Sequence, residues 1–566
     1  MDWSGLHRPC TFQSKGRIEV TKGINRRDSL TLIGALAPLA ATSQNAAAQS
    51  ETEFSESATF LGLSHRSIEK GTGALLTSGF AVPGIGGGVY RRCTEGPFIA
   101  TRWRRKSRDG QWFEKDERDV DLTHMGATGD GKDSTEAMLA AFAWLNEHPG
   151  RQLQVPRGQF VTSADLPILA DNAALVGQGH SGSEIVLANG ATIRVGRALT
   201  RGRAADGRLL RTINGKVLFP RIENLAFKAA GEHTQDCIVL EHADNAILRL
   251  LDVSQAGITA HARVNGIRTR WVQWTTLDHV FVNTNDSALT IELASETDEN
   301  EDHFLINACQ FYIGKQPVRD ASPACIRIEC GAGRSAPMWN FHVTGRTHFL
   351  GWKAADNLPA TTGPIFTSGV MLVQPNTGAA LRMATIRDAF FEDVSFPIDL
   401  RRGVTGADVS TILTQGCSFM EAHTVFSGRD WSKHGATAAD NHYINGGFVA
   451  DGNIRLYHRG YSRMSGMQGF DRQGLTGVHQ WERRSFCVEG IELEAAGSIE
   501  VPAGANNVTI DYRLSVAEDA RCRATSLIAN WPGANPWPVS IGSRRAVIRF
   551  IQPPAQGGRL QYCFEA

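Results

Sequence analysis

Short segments of alternating apolar and polar residues recur along the middle of the chain: CIVLEH, GIRTRW, ALTIEL, CIRIEC, GVMLVQ and PIDLRR. Alternation at period two is the signature of a strand with one buried face. The inward positions are apolar or small: Ile238 and Leu240, Ile267 and Thr269, Leu289 and Ile291, Ile326 and Ile328, Val370 and Leu372, Ile398 and Leu400. A second strand type lies between them, with Phe227, Phe281, Phe311, Phe391, Phe419 and Phe448 each ending a short strand, often after Cys or Gly as in ACQF, GCSF and GGF. Recurrence of such units at roughly 20–50 residues predicts a solenoid whose coils bury their faces on one another. A β-sandwich accounts for many short strands but not for their recurring pairs. The longer interval from 349 to 391 predicts an inserted loop around GWKAADNLPATTGP.

Upstream, the period changes. Met138, Ala141, Phe142 and Leu145 form an amphipathic helical stripe after GATGDGKDSTE, residues 126–136. Asp133 and Glu136 have capping-box spacing, with Asp133 as N-cap. The stretch lacks the Lys-Ser/Thr pair of a phosphate loop. It also lacks the aspartate spacing and the distal Glu of a calcium loop. The glycines therefore read as a turn. After the helix, LQVPRGQFVTS reads as a strand broken by a Pro-Arg-Gly turn. Gly177, Gly179 and Gly182 formally match a dinucleotide fingerprint, but EIVLANGATIRV after them alternates as strand where a helix is required, so they read as a turn between strands.

The order DLTHMGATGDGKDSTEAMLAAFAWL, VPRGQFVTS, ALVGQGHSGSEIVL resembles the entry to pectate-lyase-like right-handed parallel β-helices. The preceding SGFAVPGIGGGVYRR and DGQWFEKD resemble the stretch before the solenoid in tailspike-like polysaccharide-degrading proteins. These motifs cover residues 75–190 and speak to fold more than to reaction. From about 484 the pattern turns to antiparallel strands with Gly, Pro and Asn turns. The expected fold is all-β: a right-handed parallel β-helix solenoid with an N-terminal capping helix and a small C-terminal antiparallel β domain. The expected divisions are a signal at 1–48, an N-terminal extension or neck at 49–118, the β-helix at 119–480 and the C-terminal domain at 481–566.

Composition narrows the partners. Lys+Arg and Asp+Glu are 58 each among 566 residues, so net charge points to neither nucleic acid nor an anionic membrane. No apolar run reaches the ~18 residues of a membrane span. Arg26 and Arg27 before LTLIGALAPLAA and NAAAQS resemble a Tat signal cleaved near Ala48, implying a periplasmic or secreted, Tat-exported protein. None of the ten cysteines forms a zinc pattern; Cys325 and Cys330 lie closest together, and alternation turns Cys330 inward. A polysaccharide is the expected partner, bound by a monomer or a homotrimer.

The outward positions of the six alternating strands form two columns. One reads Val239, Arg268, Thr290, Arg327, Met371, Asp399; the other reads Glu241, Arg270, Glu292, Glu329, Val373, Arg401. Interleaved opposite charges are an ordinary solvated sheet. Glu292 opposite Glu329, however, is unfavourable unless arginines, a metal or a function compensates. The resemblance implies that a glycan lies on this face.

For β-elimination, slightly favoured, Arg268, Arg270 and Arg327 can bind a uronate carboxylate. The resemblance further implies Ca²⁺ as a candidate cofactor on Glu292 and Glu329, with Arg270 or Arg327 as base and His303 or Lys353 as substitutes. For hydrolysis, Glu292 and Glu329 suit a retaining pair, which needs about 5–5.5 Å between carboxyl groups. The hydrolase relatives carry acids at the turn entering this strand, where Asp236, Asp286 and Asp320 stand here, with Glu392 and Asp393 one turn on. Arg401, Asp399, Trp352 and Lys353, and Trp431 with His434, are further candidates for glycan contact. The acidic run SETDENEDH, 295–303, is a solvated loop or a groove wall. A non-catalytic glycan-binding protein is the alternative of a different class.

Overall fold

The computed structural model describes residues 59–565 apart from 94–99, 117–118, 197–199, 204–208, 213–215, 231–234, 257–264, 294–301, 315–322, 331–337, 352–365, 374–380, 403–408, 429–435, 452–455, 460–461, 466, 468, 472–478, 482–485, 489–493, 512–521 and 543. The expected insertion, Asp320, Trp352, Lys353, Trp431, His434 and most of the acidic run therefore lie outside the described residues, as does the Arg401 side chain.

Three long parallel sheets share the chain in rotation. The first runs from Asp119–Asp121 to His479–Trp481, the second from Asp130–Asp133 to Phe486–Val488, and the third from Leu166–Ile168 to Gly469–Asp471. Successive coils pair in register, so the chain is a right-handed parallel β-helix. The corner between the first and second sheets explains the Cys and Gly punctuation. A left-handed residue such as Leu250, His279, Ala308, Asp388 or Gly416 turns the chain. The next residue, Leu251, Val280, Cys309, Ala389 or Cys417, is buried.

The buried Phe ladder belongs to the second sheet. Phe311, Phe349, Phe391, Phe419 and Tyr443 lie on consecutive coils. Phe349 stacks on Phe391 at 4.4 Å and 4°, and Phe391 on Phe419 at 5.0 Å. These residues sit inside or at the start of their strands, not at the ends. Phe281 and Phe448 leave the ladder: Val282 takes the inward place beside Phe281, and Phe448 opens a strand of the third sheet.

The capping helix is Thr135–Glu147 and buries Met138, Ala141, Phe142 and Leu145 as its stripe requires. Its start differs from the capping-box expectation. Asp130–Asp133 pairs with the Gly158–Thr162 strand, and the Ser134 N–H bonds the Val161 carbonyl, so Asp133 is still in a strand. Ser134 is the N-cap without a side-chain cap bond; Asp133 accepts from the Thr135 N–H at 3.0 Å, and Glu136 pairs with Arg102. A reciprocal box forms instead between Asp121 and His124, closed by Gly126 at φ +94°. Gly177–Gly182 is a turn between strands, without a helix.

Before the solenoid, a four-stranded antiparallel sheet packs Phe60, Phe80, Tyr90 and Phe113. After it, two three-stranded antiparallel sheets enclose Val501, Ile548, Leu560 and Phe564. No helix among the described residues is long and apolar enough to cross a membrane.

Candidate functional site

The third sheet carries the six alternating strands: Ile238–Glu241, Ile267–Arg270, Ser287–Leu293, Ala324–Cys330, Ser368–Val373 and Phe396–Arg402. Their register reproduces the two outward columns rung by rung, with one exception. Between Met371 and Val373 the register slips, so Val373 faces Arg402 and not Arg401. Arg401 therefore leaves the column. The face is also less open than alternation alone predicts: Thr290, Met371 and Asp399 point outward yet are buried, and Asp399 accepts from Ser368 Oγ at 2.6 Å.

The charged side chains of these rungs form one connected lattice. Arg268 Nε donates to Asp236 Oδ2 at 2.6 Å, and its Nη1 lies 3.5 Å from Glu292 Oε2 and 4.0 Å from Glu329 Oε2. Arg270 Nε is 3.3 Å from Glu292 Oε1, an ion pair without hydrogen-bond alignment, and Nη1 is 4.0 Å from Glu241 Oε1. Arg327 Nη2 donates to Asp286 Oδ1 at 3.0 Å, with Nη1 3.5 Å from Glu329 Oε1. Glu292 and Glu329 thus stand on adjacent rungs, and Arg268 bridges them. Burial works against the Arg268 charge, but Asp236, then Glu329 and Glu292, outweigh it and raise its pKa above the ordinary value. Such a guanidinium binds and orients; it does not take a proton.

Two further features shape the lattice. Asp236 and Asp286 are the innermost acids, their side chains 14% and 5% exposed, and each anchors one arginine. The Arg270 guanidinium lies 4.0 Å over the Trp271 ring, which meets the buried His242 edge-on. Trp271 was not legible as a site residue because it follows the strand, at φ +53°.

The other candidates are elsewhere. His303 is on the first sheet, stacked against Trp274 with centroids 3.6 Å apart. Glu392 is on the second sheet, 3.1 Å from His348 Nε2, and Asp393 is in the corner that follows it. No lysine or histidine enters the salt bridges of the lattice among the described residues.

The donor set does not fit Ca²⁺. A hard dication takes 6–8 oxygen ligands, roughly; here Glu292 and Glu329 already face guanidinium groups within 3.5 Å. No cluster of three His, Cys, Asp or Glu residues able to hold a metal ion is found among the described residues.

No protein-family profile and no curated protein sequence matches the chain. Solved structures with a similar course include the tailspike gp49 of Acinetobacter baumannii bacteriophage Fri1, a capsular polysaccharide depolymerase, at 10% identity over 90% of this chain and 98% of that one, TM-score 0.39. Bacteriophage CBA120 tailspike protein 4 matches at 11% identity over 90% and 75%, TM-score 0.44. The A-module of the Azotobacter vinelandii mannuronan C-5 epimerase AlgE6 matches at 13% over 65% and 98%, TM-score 0.38. At this level of similarity the solenoid is described by its own strand pairing, and the likeness says nothing of its chemistry.

Proposed function

We propose that this chain is a polysaccharide-degrading enzyme and that the lattice on the third sheet cleaves a glycosidic bond by hydrolysis. The observation that carries this reading is the placement of Glu292 and Glu329 on adjacent rungs, with Nη1 of Arg268, from the preceding rung, 3.5 and 4.0 Å from them. Adjacent rungs are about 4.8 Å apart, close to the separation of the two carboxyl groups in a retaining hydrolase. One carboxyl acts as nucleophile at the anomeric carbon. The other donates a proton to the leaving oxygen and then, as base, takes one from water. Arg268, Arg270 and Arg327 hold the pair in place.

Two observations move the balance from elimination toward hydrolysis. Five carboxylates, Asp236, Glu241, Asp286, Glu292 and Glu329, surround three arginines, which disfavours an anionic substrate on this face. The lattice also lacks, among the described residues, a paired lysine or histidine to abstract a C5 proton. Elimination remains a second reading because the three guanidinium groups are 15–28% exposed and can meet a uronate carboxylate.

The test is incubation of the mature protein with neutral and uronic-acid polysaccharides, following reducing ends and ultraviolet absorbance. New reducing ends without absorbance, lost in Glu292→Gln and in Glu329→Gln while the fold persists, support hydrolysis. Rising absorbance from an unsaturated product refutes it in favour of elimination. Retention of a glycan with no product refutes catalysis and leaves a binding protein.

A further inference from the structure

At the entry to the first sheet, one rung position takes the left-handed conformation on six successive coils, apart from His242 and Trp271, which are left-handed at the end of the third-sheet strand. Phe219, Asn245, Trp274, His303, Asn340 and Met383 have φ of +53°, +54°, +52°, +57°, +56° and +59°. They occupy successive rungs, since the residues beside them pair Leu218–Asp244, Asp244–Gln273, Gln273–Asp302, Asp302–Trp339 and Trp339–Arg382. A bulge of this shape suits Asn, which three rungs around this stretch use (Asn172 at +56°, Asn245 and Asn340). Phe, Trp, His and Met are costly there, and strain of this kind persists where the side chain has work to perform.

The costly side chains face outward. Phe219, Trp274 and Met383 are 48%, 51% and 54% exposed. Trp274 nonetheless has a packing partner: its indole lies parallel to the His303 imidazole, 3.6 Å between centroids and 8° between planes. His303 Nε2 in turn is 3.1 Å from Asn340 Nδ2, with the amide as donor when the imidazole carries its proton on Nδ1. The indole face turned away from His303 looks back toward the Asn245 rung, and Phe219 stands one rung beyond. Two rungs span about 9.6 Å, room for one flat ring. Asn245 and Asp244, bonded to each other at 3.0 Å, lie at that rung, and Lys216 Nζ meets Gln273 Oε1 at 2.7 Å beside it.

We propose that this stripe is a saccharide-binding subsite, with Trp274 as the platform for the apolar face of a neutral pyranose and the Asn245 rung meeting its hydroxyls. Aromatic and amide rungs alternate at this spot, which matches a sugar with one C–H face and a polar rim better than the continuous apolar area of a second protein copy. The stripe also continues the lattice. Arg270 stacks on Trp271, and Trp274 follows three residues later, within about 14 Å of Arg270 along the chain. In choosing a sugar as occupant, the proposal rests on the glycan reading of the lattice.

Binding of neutral hexasaccharides (cello-, malto- and xylo-oligomers) is measured by saturation-transfer NMR and calorimetry for the full chain and four variants. One hexasaccharide is expected to bind, about tenfold more weakly to Trp274→Ala, within about threefold to Trp274→Phe, and unchanged to Arg545→Gln on the exposed surface of the C-terminal domain. Trp274→Asn suits the left-handed backbone, so it should lose affinity while its melting temperature holds or rises. A drop in melting temperature for Trp274→Asn makes the ring a packing element and overturns the proposal. Equal affinity in Trp274→Ala and the parent overturns the subsite, whereas polysaccharide turnover, read separately, decides the lattice. If no hexasaccharide binds while turnover is intact, the subsite alone falls.

Discussion

Removing Arg268 should expose how the lattice is balanced. Its guanidinium stands 2.6, 3.5 and 4.0 Å from three carboxylates on three different coils. Two unit charges at 4 Å attract by about 4 kcal/mol at an effective dielectric near 20, and the cost of withdrawing the ions from water offsets most of this. Removing one partner of a fully buried pair costs about 3–5 kcal/mol. The Arg268 side chain is 27% exposed and Asp236 is 14% exposed, so Arg268→Ala should cost less, about 2–4 kcal/mol at pH 7. Without Arg268, Asp236 loses its guanidinium partner, whereas Glu292 keeps Arg270 at 3.3 Å and Glu329 keeps Arg327 at 3.5 Å. Urea unfolding of parent and variant at pH 7 reads the difference. Adding Asp236→Asn to Arg268→Ala removes the acid left without its donor and should recover about 1 kcal/mol at pH 7. A cost under about 0.5 kcal/mol at pH 7, typical of surface pairs, refutes the reasoning.

Other outcomes follow from the same structure. Phe391→Ala deletes a fully buried ring stacked on both sides and should cost about 3–5 kcal/mol, with hydrogen exchange rising in the neighbouring coils more than in the C-terminal domain. Exchange spread evenly over the chain would count against the coil-by-coil picture. Glu114 is held at a pKa of about 2 by the His148 imidazole, 3.7 Å away, against burial and with help from Arg104, which donates to it at 2.6 Å. Its folded value lies below the ordinary carboxylate range, so it stabilises at neutral pH and the benefit disappears as pH falls toward 2. The melting temperature of Glu114→Gln should trail the parent at pH 7 and converge with it near pH 2; a constant gap would contradict this. His148 is raised by the same partner, so its contribution is complete in acid and fades as pH rises through its folded value. Because the donor set does not fit Ca²⁺, a chelator should leave turnover unchanged, and a chelator-sensitive rate restored by added Ca²⁺ would overturn that reading.

The charged columns were legible because a parallel in-register stack carries alternation from coil to coil. Once the inward residues of GIRTRW and ALTIEL are identified, the place of Arg270 beside Glu292 follows. Legibility failed where local pattern and pairing part. Asp133 reads as a cap until its pairing with the second sheet's next strand is known. Arg401 reads as the sixth rung until the register slips and Arg402 takes the place. Alternation also says which way a side chain points, but not what covers it. Thr290 is buried on the outward side, with Arg268 and Arg327 on the rungs to either side of it. Trp274 was hidden for a different reason: a left-handed residue at the strand entry breaks the period-two rule by which such positions are read.

The slip between Met371 and Val373 acts on the charged rows as a dislocation acts in a crystal. Before it, Glu241, Arg270, Glu292 and Glu329 keep one phase across four coils, about 14 Å from first to last. The apolar Val373 rung is still in phase with Glu329, and beyond it the row is displaced by one residue. A polymer laid along the stack can match its own repeat to the rows only within that coherent block. The face therefore has a reading frame of fixed length, with a charged end and an apolar stop, and a chain threaded in the reverse direction would meet the two in the wrong order.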